Sequence, residues 1–252
     1  MYNEKTIEKL KQKILDLAIR GKLVPQDPND EPASVLIEKI RKEKEKLIKE
    51  GKIKKPKEDS FIFKGSDNCY YENVNEEVKC IQDEIPFEIP ESWVWCRLGN
   101  IFNVIMGQSP LGNSISEFVD GMEFHQGKLF FGNKYLKNSN TKTTMPTKIS
   151  NENSVLLCIR APVGKVNINK RKICIGRGLC SIEHNKYFLP ELLYYFFLNF
   201  EQYFIYKSTG STFKSITNEV VMNLILPIPP LKEQNNIVIK CNELLDLIDN
   251  IQ

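Results

Sequence analysis

Two short stretches in the last fifth of the chain decide how it is organised. Residues 210–214 are Gly-Ser-Thr-Phe-Lys, and residues 226–234 are Leu-Pro-Ile-Pro-Pro-Leu-Lys-Glu-Gln. The first predicts a glycine turn with hydroxyls and a lysine, and the second predicts an apolar strand followed by a proline-fixed helix start. Apolar residues of that helix recur at a/d spacing, which indicates a seam that pairs with another helix. The seam comprises Ile237, Cys241, Leu244, Ile248 and Ile251.

A similar amphipathic stripe lies at the other end of the sequence. Its apolar residues recur at intervals of three, four and three, and they are Ile7, Leu10, Ile14 and Leu17. Gly21 is a natural helix stop. Two interpretations stay open: this helix packs on its own domain, or the terminal helices form a coiled-coil spacer, within the chain or with a second copy. Pro32 begins a further helix that reaches about Glu50.

The long middle segment, from residue 85 to residue 229, has mostly the pattern of β-structure. Residues 154–160, 172–175 and 179–183 are apolar runs suited to strands, whereas Pro190 begins a helix whose aromatic stripe is typical of core packing. The sequence therefore predicts an α+β protein with a β-rich domain and helices at both ends. The predicted parts are a helical region at 1–50, a linker or loosely packed arm at 51–84, the β-rich domain at 85–229 and a spacer helix at 230–252.

Composition restricts the class of protein. The 252 residues are 41% hydrophobic and 27% charged, as in soluble globular proteins, and the net charge of +3 is weak evidence for a polyanionic partner. Seven scattered cysteines without a C-x-x-C pair predict reduced thiols in a cytoplasmic protein and no structural zinc site. The N-terminus begins an amphipathic segment instead of an apolar h-region, so we expect no signal peptide, and the most apolar run, around Leu192 to Phe200, is too short and too interrupted to span a bilayer.

The sequence motifs of methyltransferases, metal-dependent nucleases and ATP-driven enzymes are incomplete or missing in this sequence. Pro229-Pro230 stands between Ile228 and Leu231, so it lacks the Asp or Asn and the aromatic residue of an aminomethyltransferase turn. Glu77-Val78-Lys79 is only a fragment of a metal-nuclease site, and the ATP-binding pattern G-x-x-x-x-G-K-S/T is missing. The sequence thus predicts a non-catalytic protein.

These segments together resemble the specificity subunits of Type I restriction-modification systems, over most of the chain. Residues 21–34 are similar to a helical conserved region of that family, residues 85–101 resemble the start of a target-recognition domain, and residues 210–234 resemble its end. The resemblance implies a cytoplasmic, prokaryotic subunit that directs separate modification (methyltransferase) and restriction subunits to a bipartite site in double-stranded DNA. It also implies no cofactor in this chain, with S-adenosylmethionine in the modification subunit and ATP and Mg²⁺ in the restriction subunit.

Glycine-containing loops supply the candidate DNA contacts, and they too resemble segments of target-recognition domains. Glutamine can bond adenine, arginine and lysine can bond guanine, and hydroxyls at glycine turns can hold phosphates. A purely structural role stays open for each loop, because such turns occur in most β domains. The predicted DNA-binding residues are Gln108, Ser109, Gln126, Lys128, Arg160, Lys165, Arg177, Ser211, Thr212 and Lys214.

One departure from the family pattern concerns length. A typical specificity subunit has two recognition domains, whereas this sequence has no second Gly-Ser-Thr-Phe and no internal repeat. We therefore expect a half-length subunit or a fragment, and a half-length subunit would read an interrupted palindrome as a homodimer. Two alternatives stay open: a DNA methyltransferase or nuclease with diverged motifs, which would bind S-adenosylmethionine itself, and an assembly protein that does not bind DNA.

Overall fold

Residues 3–51, 60–210 and 214–250 are described by a computed structural model of the chain. Helices and mostly antiparallel strands make it an α+β protein, which confirms the predicted fold class. The chain divides into a first unit, Met1–Ile101 with Met222–Gln252, and a second unit, Phe102–Val221. Part of the predicted β-rich domain therefore belongs to the first unit, because its first and last strands pair there.

Three long helices belong to the described part of the first unit: α1 (Glu4–Ile19), α2 (Ala33–Lys49) and α7 (Leu231–Asp249). The side chain of Asn3 caps α1 by accepting a hydrogen bond from the N–H of Lys5 at 3.1 Å. Pro32 and Pro230 immediately precede α2 and α7, as the sequence predicts. Helices α1 and α7 pack against each other, so the terminal helices pair within the chain.

Two small sheets complete the first unit. Strands β1 (Ser60–Lys64), β2 (Tyr70–Val74) and β3 (Glu77–Cys80) form an antiparallel sheet in that order. Strand β4 (Val94–Arg97) pairs with β14 (Ile225–Ile228), and the short helix α3 (Leu98–Ile101) follows β4. The core between them contains Tyr70, Ile81, Trp95 and Ile225.

The sheet formed by β1, β2 and β3 corrects the expectation of a loose arm over residues 60–80. Its buried positions include the polar residues Ser60 and Glu72. The sequence therefore lacks the regular apolar–polar alternation that would have predicted these strands. The Glu72 carboxylate is compensated by Arg97, whose Nη2 lies 2.6 Å from Oε2, and by the Ser60 hydroxyl, which donates to Oε1 at 2.7 Å. A buried carboxylate is tolerated here because it is paired and hydrogen-bonded.

The second unit contains two sheets of short strands in its described part. The four-stranded sheet is antiparallel in the order β11-β10-β13-β5, and the five-stranded sheet has the order β6-β8-β7-β12-β9 with β7 and β12 parallel. The strands are β5 (Val104–Met106), β6 (Ile115–Ser116), β7 (Met122–His125), β8 (Lys142–Thr143), β9 (Ile149–Ser150), β10 (Val155–Cys158), β11 (Val166–Ile168), β12 (Ile173–Ile175) and β13 (Leu179–Ile182). The three predicted apolar runs are confirmed as β10, β12 and β13.

Helices α4 (Pro190–Asn199) and α5 (Glu201–Lys207) belong to the same unit, and α6 (Asn218–Met222) lies where it ends. Phe196 and Phe197 of α4 are completely buried, so the aromatic stripe is core, as predicted. Within the described residues, no helix combines the length and the apolar character needed to cross a bilayer.

Candidate nucleic-acid interface

Three loops of the second unit are tied together at the ends of β5, β7 and β12. They are the 107–109, 125–128 and 176–178 loops, and the sequence predicted DNA contacts in each. Four backbone hydrogen bonds of 2.8–3.1 Å connect them to one another and to the adjoining strands. Their donors are the N–H groups of Gly107, Gln108, Gly176 and Gly178, and their acceptors are the carbonyls of Leu179, Ile175, His125 and Gln126, respectively.

This crossing of loops needs glycine because the backbones approach too closely for a side chain. A Cβ on Gly107 would lie 2.1 Å from the carbonyl oxygen of Gly176, and a Cβ on Gly178 would lie 2.4 Å from the carbonyl oxygen of Gln126. Gly112, only five residues beyond Gly107, has no atom within 4 Å of such a Cβ. The close contact between these loops therefore requires glycine at positions 107 and 178.

The polar side chains of the three loops form a network. The Ser109 hydroxyl donates to Oε1 of Gln126 at 2.7 Å, and the N–H of Arg177 donates to the Ser109 Oγ at 3.4 Å. This arrangement holds the amide oxygen of Gln126, whose side chain is exposed. The structure thus brings together Ser109, Gln126 and Arg177, and it places exposed Gln108 next to them in the chain.

Arg160 lies beside the same loops. The N–H of Ile159 donates to the carbonyl of Gly178 at 2.9 Å, and Arg160 and Arg177 line one depression of about 230 Å³. Ser215 pairs with Arg160 in a β-bridge, so the exposed Lys214 before it stands near this arginine in the fold. Residues far apart in sequence thus contribute to one surface.

Four of the predicted cations on this surface are exposed, and across residues 3–51, 60–210 and 214–250 none of them forms an ion pair. They are Lys128, Arg160, Arg177 and Lys214. By contrast, Nη2 of Arg171 lies 2.5 Å from Oε1 of Glu123 elsewhere in the unit. Uncompensated positive charge on loops with exposed amides suits a polyanion.

Three other predicted DNA-binding residues, Lys165, Ser211 and Thr212, are not among these exposed, unpaired cations. The ammonium of Lys165 is 2.6 Å from Oε1 of Glu201, so it must leave an ion pair before it can hold a phosphate. Ser211 and Thr212 lie outside the described residues. For all three, DNA contact stays a prediction.

Sequence analysis missed a fourth loop that touches the others. The Thr147 hydroxyl donates to the carbonyl of Gln108, and the carbonyl of Lys148 accepts a hydrogen bond from the N–H of Ile175 at 2.9 Å. Lys148 is exposed and is a further candidate for phosphate contact. Its loop contains no glycine, which was the feature used to find the others. The Pro-Thr-Lys run before a strand was the signal available.

A polar cluster of Glu123, His125 and Arg171 lies where the 125–128 loop begins at the end of β7. His125 is 1% exposed, and its Nε2–H donates to Oε1 of Glu123 at 2.8 Å, a carboxylate that Arg171 also pairs with. Burial of Glu123 opposes its ionisation, but hydrogen bonds from Arg171, the Ser139 N–H and His125 outweigh burial and lower its pKa to about 2. Burial lowers the pKa of His125, so the ring is neutral at pH 7 and the cluster is a fixed support.

Comparison with known proteins now identifies the family. The family profile of the Type I restriction modification DNA specificity domain matches residues 90–252. The chain belongs to this family. The match includes the second unit, and with it every loop described above.

Individual specificity subunits are similar over part of their length. The putative type I restriction enzyme MjaX specificity subunit of Methanocaldococcus jannaschii is 40% identical over 165 residues, which are 64% of this chain and 39% of that protein. The EcoEI specificity subunit of Escherichia coli is 29% identical over 260 residues, covering 98% of this chain and 40% of that protein. The chain thus spans about two fifths of the length of these curated relatives.

Solved structures show the same fold. The HsdS subunit from Thermoanaerobacter tengcongensis matches with a TM-score of 0.59 at 22% identity, over 98% of this chain and 51% of that one. A chain from a study of complex assembly and conformational transition in the type I R-M system matches with a TM-score of 0.61 at 23% identity and the same coverage.

In this Type I specificity chain, the motifs outside the loops have a structural role. Glu233 of the Pro-Pro-Leu-Lys-Glu motif is 2% exposed, and its carboxylate accepts hydrogen bonds from Trp93 Nε1 at 2.9 Å and Gln26 Nε2 at 2.6 Å. Burial raises the pKa of Glu233, which the two hydrogen bonds only partly oppose. Gly21 (φ +66°) lies so close to Pro90 that a Cβ would approach its ring to 2.5 Å. Three motifs of the sequence therefore meet to hold the start of α7.

The terminal seam of this chain is largely buried within the first unit. Ile237 and Cys241 are 0% exposed, and Lys11 of α1 forms an ion pair with Asp249 of α7. Ile7, Ile14 and Ile248 are also buried, Leu17 and Leu244 are half-buried, and Ile251 lies outside the described residues. Leu10 is 50% exposed, so it lies outside the buried part of this seam, and its contact with a partner helix stays a prediction. A straight helix drifts from a strict 3.5-residue repeat, so the buried face passes instead to Leu15, Ala18 and Ile19.

Proposed function

We propose that this chain selects the DNA sequence on which a Type I restriction-modification complex acts. The observation that carries the proposal is the joined set of loops, in which exposed, uncompensated cations stand beside amide side chains held by hydrogen bonds. Arginine and glutamine can read base edges in the major groove, while lysine and backbone N–H groups hold phosphates. Membership of the Type I DNA specificity family supports the proposal, because the matched residues 90–252 include these loops.

The chemistry then belongs to other subunits. Modification subunits supply S-adenosylmethionine and transfer the methyl group, restriction subunits use ATP and Mg²⁺, and this chain needs no cofactor of its own. Burial raises the pKa of Cys96 and Cys158 to about 12, so neither thiol is a nucleophile at neutral pH. All seven cysteines are free, which suits the reducing cytoplasm of a prokaryote.

Two copies of the chain would read a bipartite site. One set of loops contacts one half-site, and a two-fold axis presents the same loops to the other half, so the target is an interrupted palindrome. Most of the described seam residues are buried within the first unit, so the pairing of two copies would use residues that remain exposed. Apolar residues that remain exposed on α1 and α7 include Leu10, Ile239 and Leu247, and we propose that this outer surface contacts the second copy or the modification subunit.

Mapping of methylated sites tests the proposal. The chain is purified alone, the modification subunit is purified alone, and both are mixed with genomic DNA and S-adenosylmethionine. Methyl transfer is expected only in the mixture and only at one interrupted palindrome. Turnover by the pure chain would contradict the non-catalytic role, and methylation without sequence preference would contradict recognition by the loops. Two different half-sites would contradict the homodimer alone.

A further inference from the structure

Leu129 is an apolar side chain held in water at the edge of the proposed DNA surface. It is 85% exposed and occupies the middle of a single 3-10 turn, Lys128–Phe130. The turn is closed by a hydrogen bond from the N–H of Phe131 to the carbonyl of Lys128 at 2.9 Å. Exposed leucines are common singly, so exposure alone assigns nothing to it.

The residues after Leu129 are fixed, and this distinguishes it from an ordinary exposed leucine. The ring of Phe130 lies edge-on to the ring of buried His125, with centroids 5.6 Å apart. Phe130 and Phe131 both pack against the core of the second unit, and the N–H of Lys137 donates to the carbonyl of Phe130 at 2.9 Å. With its neighbours anchored, the turn cannot rotate Leu129 into the core.

The immediate surroundings of Leu129 select the kind of partner. Lys128, on the same turn, is exposed and forms no ion pair within the described residues. Gln126, three residues earlier, presents an amide whose oxygen is held by Ser109 at 2.7 Å. A cation, an amide and an apolar side chain on an anchored turn, within four residues, are the groups that contact a phosphate, a base edge and a methyl group in DNA.

We propose that Leu129 recognises thymine, by packing its side chain against the C5 methyl group in the major groove. Thymine alone among the four bases carries that methyl group, so the contact distinguishes T from C at one position of each half-site. Lys128 holds a neighbouring phosphate and keeps the turn against the groove. The inference rests on the proposed function and adds one specificity-determining residue to it.

Deoxyuridine substitution tests the contact, because it removes the methyl group and leaves every hydrogen-bonding group of thymine. Each thymine of the methylated target is replaced singly, and the dissociation constant is measured for the wild-type chain with its modification subunit. One position should bind about four-fold more weakly, which is the effect of one buried methyl group. Leu129→Ala should bind the thymine and uracil targets equally, whereas Leu129→Met should keep most of the difference.

Val78→Ala is the matched control, since it shortens another exposed aliphatic side chain, 57% exposed on β3 of the first unit, and should retain the four-fold difference. Unchanged thermal unfolding of Leu129→Ala shows that the variant is folded. The inference is overturned if no uracil position weakens wild-type binding, if Leu129→Ala keeps the difference, or if the target contains no thymine. Equal weakening on target and unrelated DNA would also overturn it. In all these cases sequence-selective binding by the wild type still upholds the proposed function, which fails only if that selectivity is missing.

Discussion

Replacing Gly107 with alanine should separate the loops of the proposed DNA surface. The new Cβ would lie 2.1 Å from the carbonyl oxygen of Gly176 and 2.7 Å from that of Leu179. Both obstacles are backbone atoms in the segment that the 107–109 loop is hydrogen-bonded to, so neither can swing aside as a flexible side chain would. Relief requires a backbone displacement of roughly 1 Å, since ordinary contacts of carbon atoms begin well above 3 Å.

The magnitude follows from two effects. Overpacking costs about 1–3 kcal/mol, and loss of the hydrogen bonds from Gly107 and Gln108 costs about 1 kcal/mol each. We expect the free energy of unfolding of the second unit to fall by about 3–5 kcal/mol. Selective DNA binding should fall at least ten-fold, because Arg177 and Gln126 no longer lie against Ser109. Urea denaturation followed by circular dichroism and fluorescence anisotropy on target and scrambled DNA measure the two quantities.

Gly112→Ala is the matched control. It makes the same chemical change five residues away, where no atom lies within 4 Å of the added Cβ. Its stability should stay within about 0.5 kcal/mol of the wild type, with normal DNA binding. If Gly107→Ala behaves like Gly112→Ala in both assays, the loops are not held together by the contact described here.

Two further predictions concern the first unit. Ile248→Asp places a charge in the buried α1–α7 seam and should lower the free energy of unfolding by about 3 kcal/mol in urea, whereas exposed Leu247→Asp should change it little. Glu233 has a raised pKa in the folded protein, so its contribution to stability is fully present below its unfolded pKa and is lost as pH rises through the folded pKa. The melting temperature of the wild type should therefore decline between pH 4 and pH 8, and Glu233→Gln should remove this decline. A decline that persists in the variant would refute the raised pKa of Glu233 as its cause.

Local patterns were sufficient for the helices and the buried strands. Apolar spacing located α1 and α7, and prolines located the starts of α2 and α4, because these signals act within a few residues. Leu10 shows the limit of such a pattern, since the face that is buried depends on which neighbour the helix meets. The 60–80 sheet was missed because buried Glu72 is compensated by Arg97, which lies 25 residues further along the chain.

The candidate site was predicted only in part, for a similar reason. Glycine and polar residues marked the 107–109, 125–128 and 176–178 loops, but no local signal shows that they touch. Their contact depends on the parallel pairing of β7 with β12, which joins residues about 50 positions apart. Lys148 is held at this surface by a hydrogen bond to its backbone carbonyl, so the identity of its side chain could not predict its position there. The ion pair of Lys165 likewise became visible only in the fold.

The most direct test of sequence recognition by these loops is the affinity ratio between target and unrelated DNA for the Arg160→Ala, Arg177→Ala double variant. An arginine at a base edge contributes about 1–3 kcal/mol of discrimination, so the ratio should fall at least ten-fold while binding to unrelated DNA falls less. Lys9→Ala, a single exposed cation on α1, should leave the ratio unchanged. An unchanged ratio in the double variant would contradict the assignment of sequence recognition to this surface.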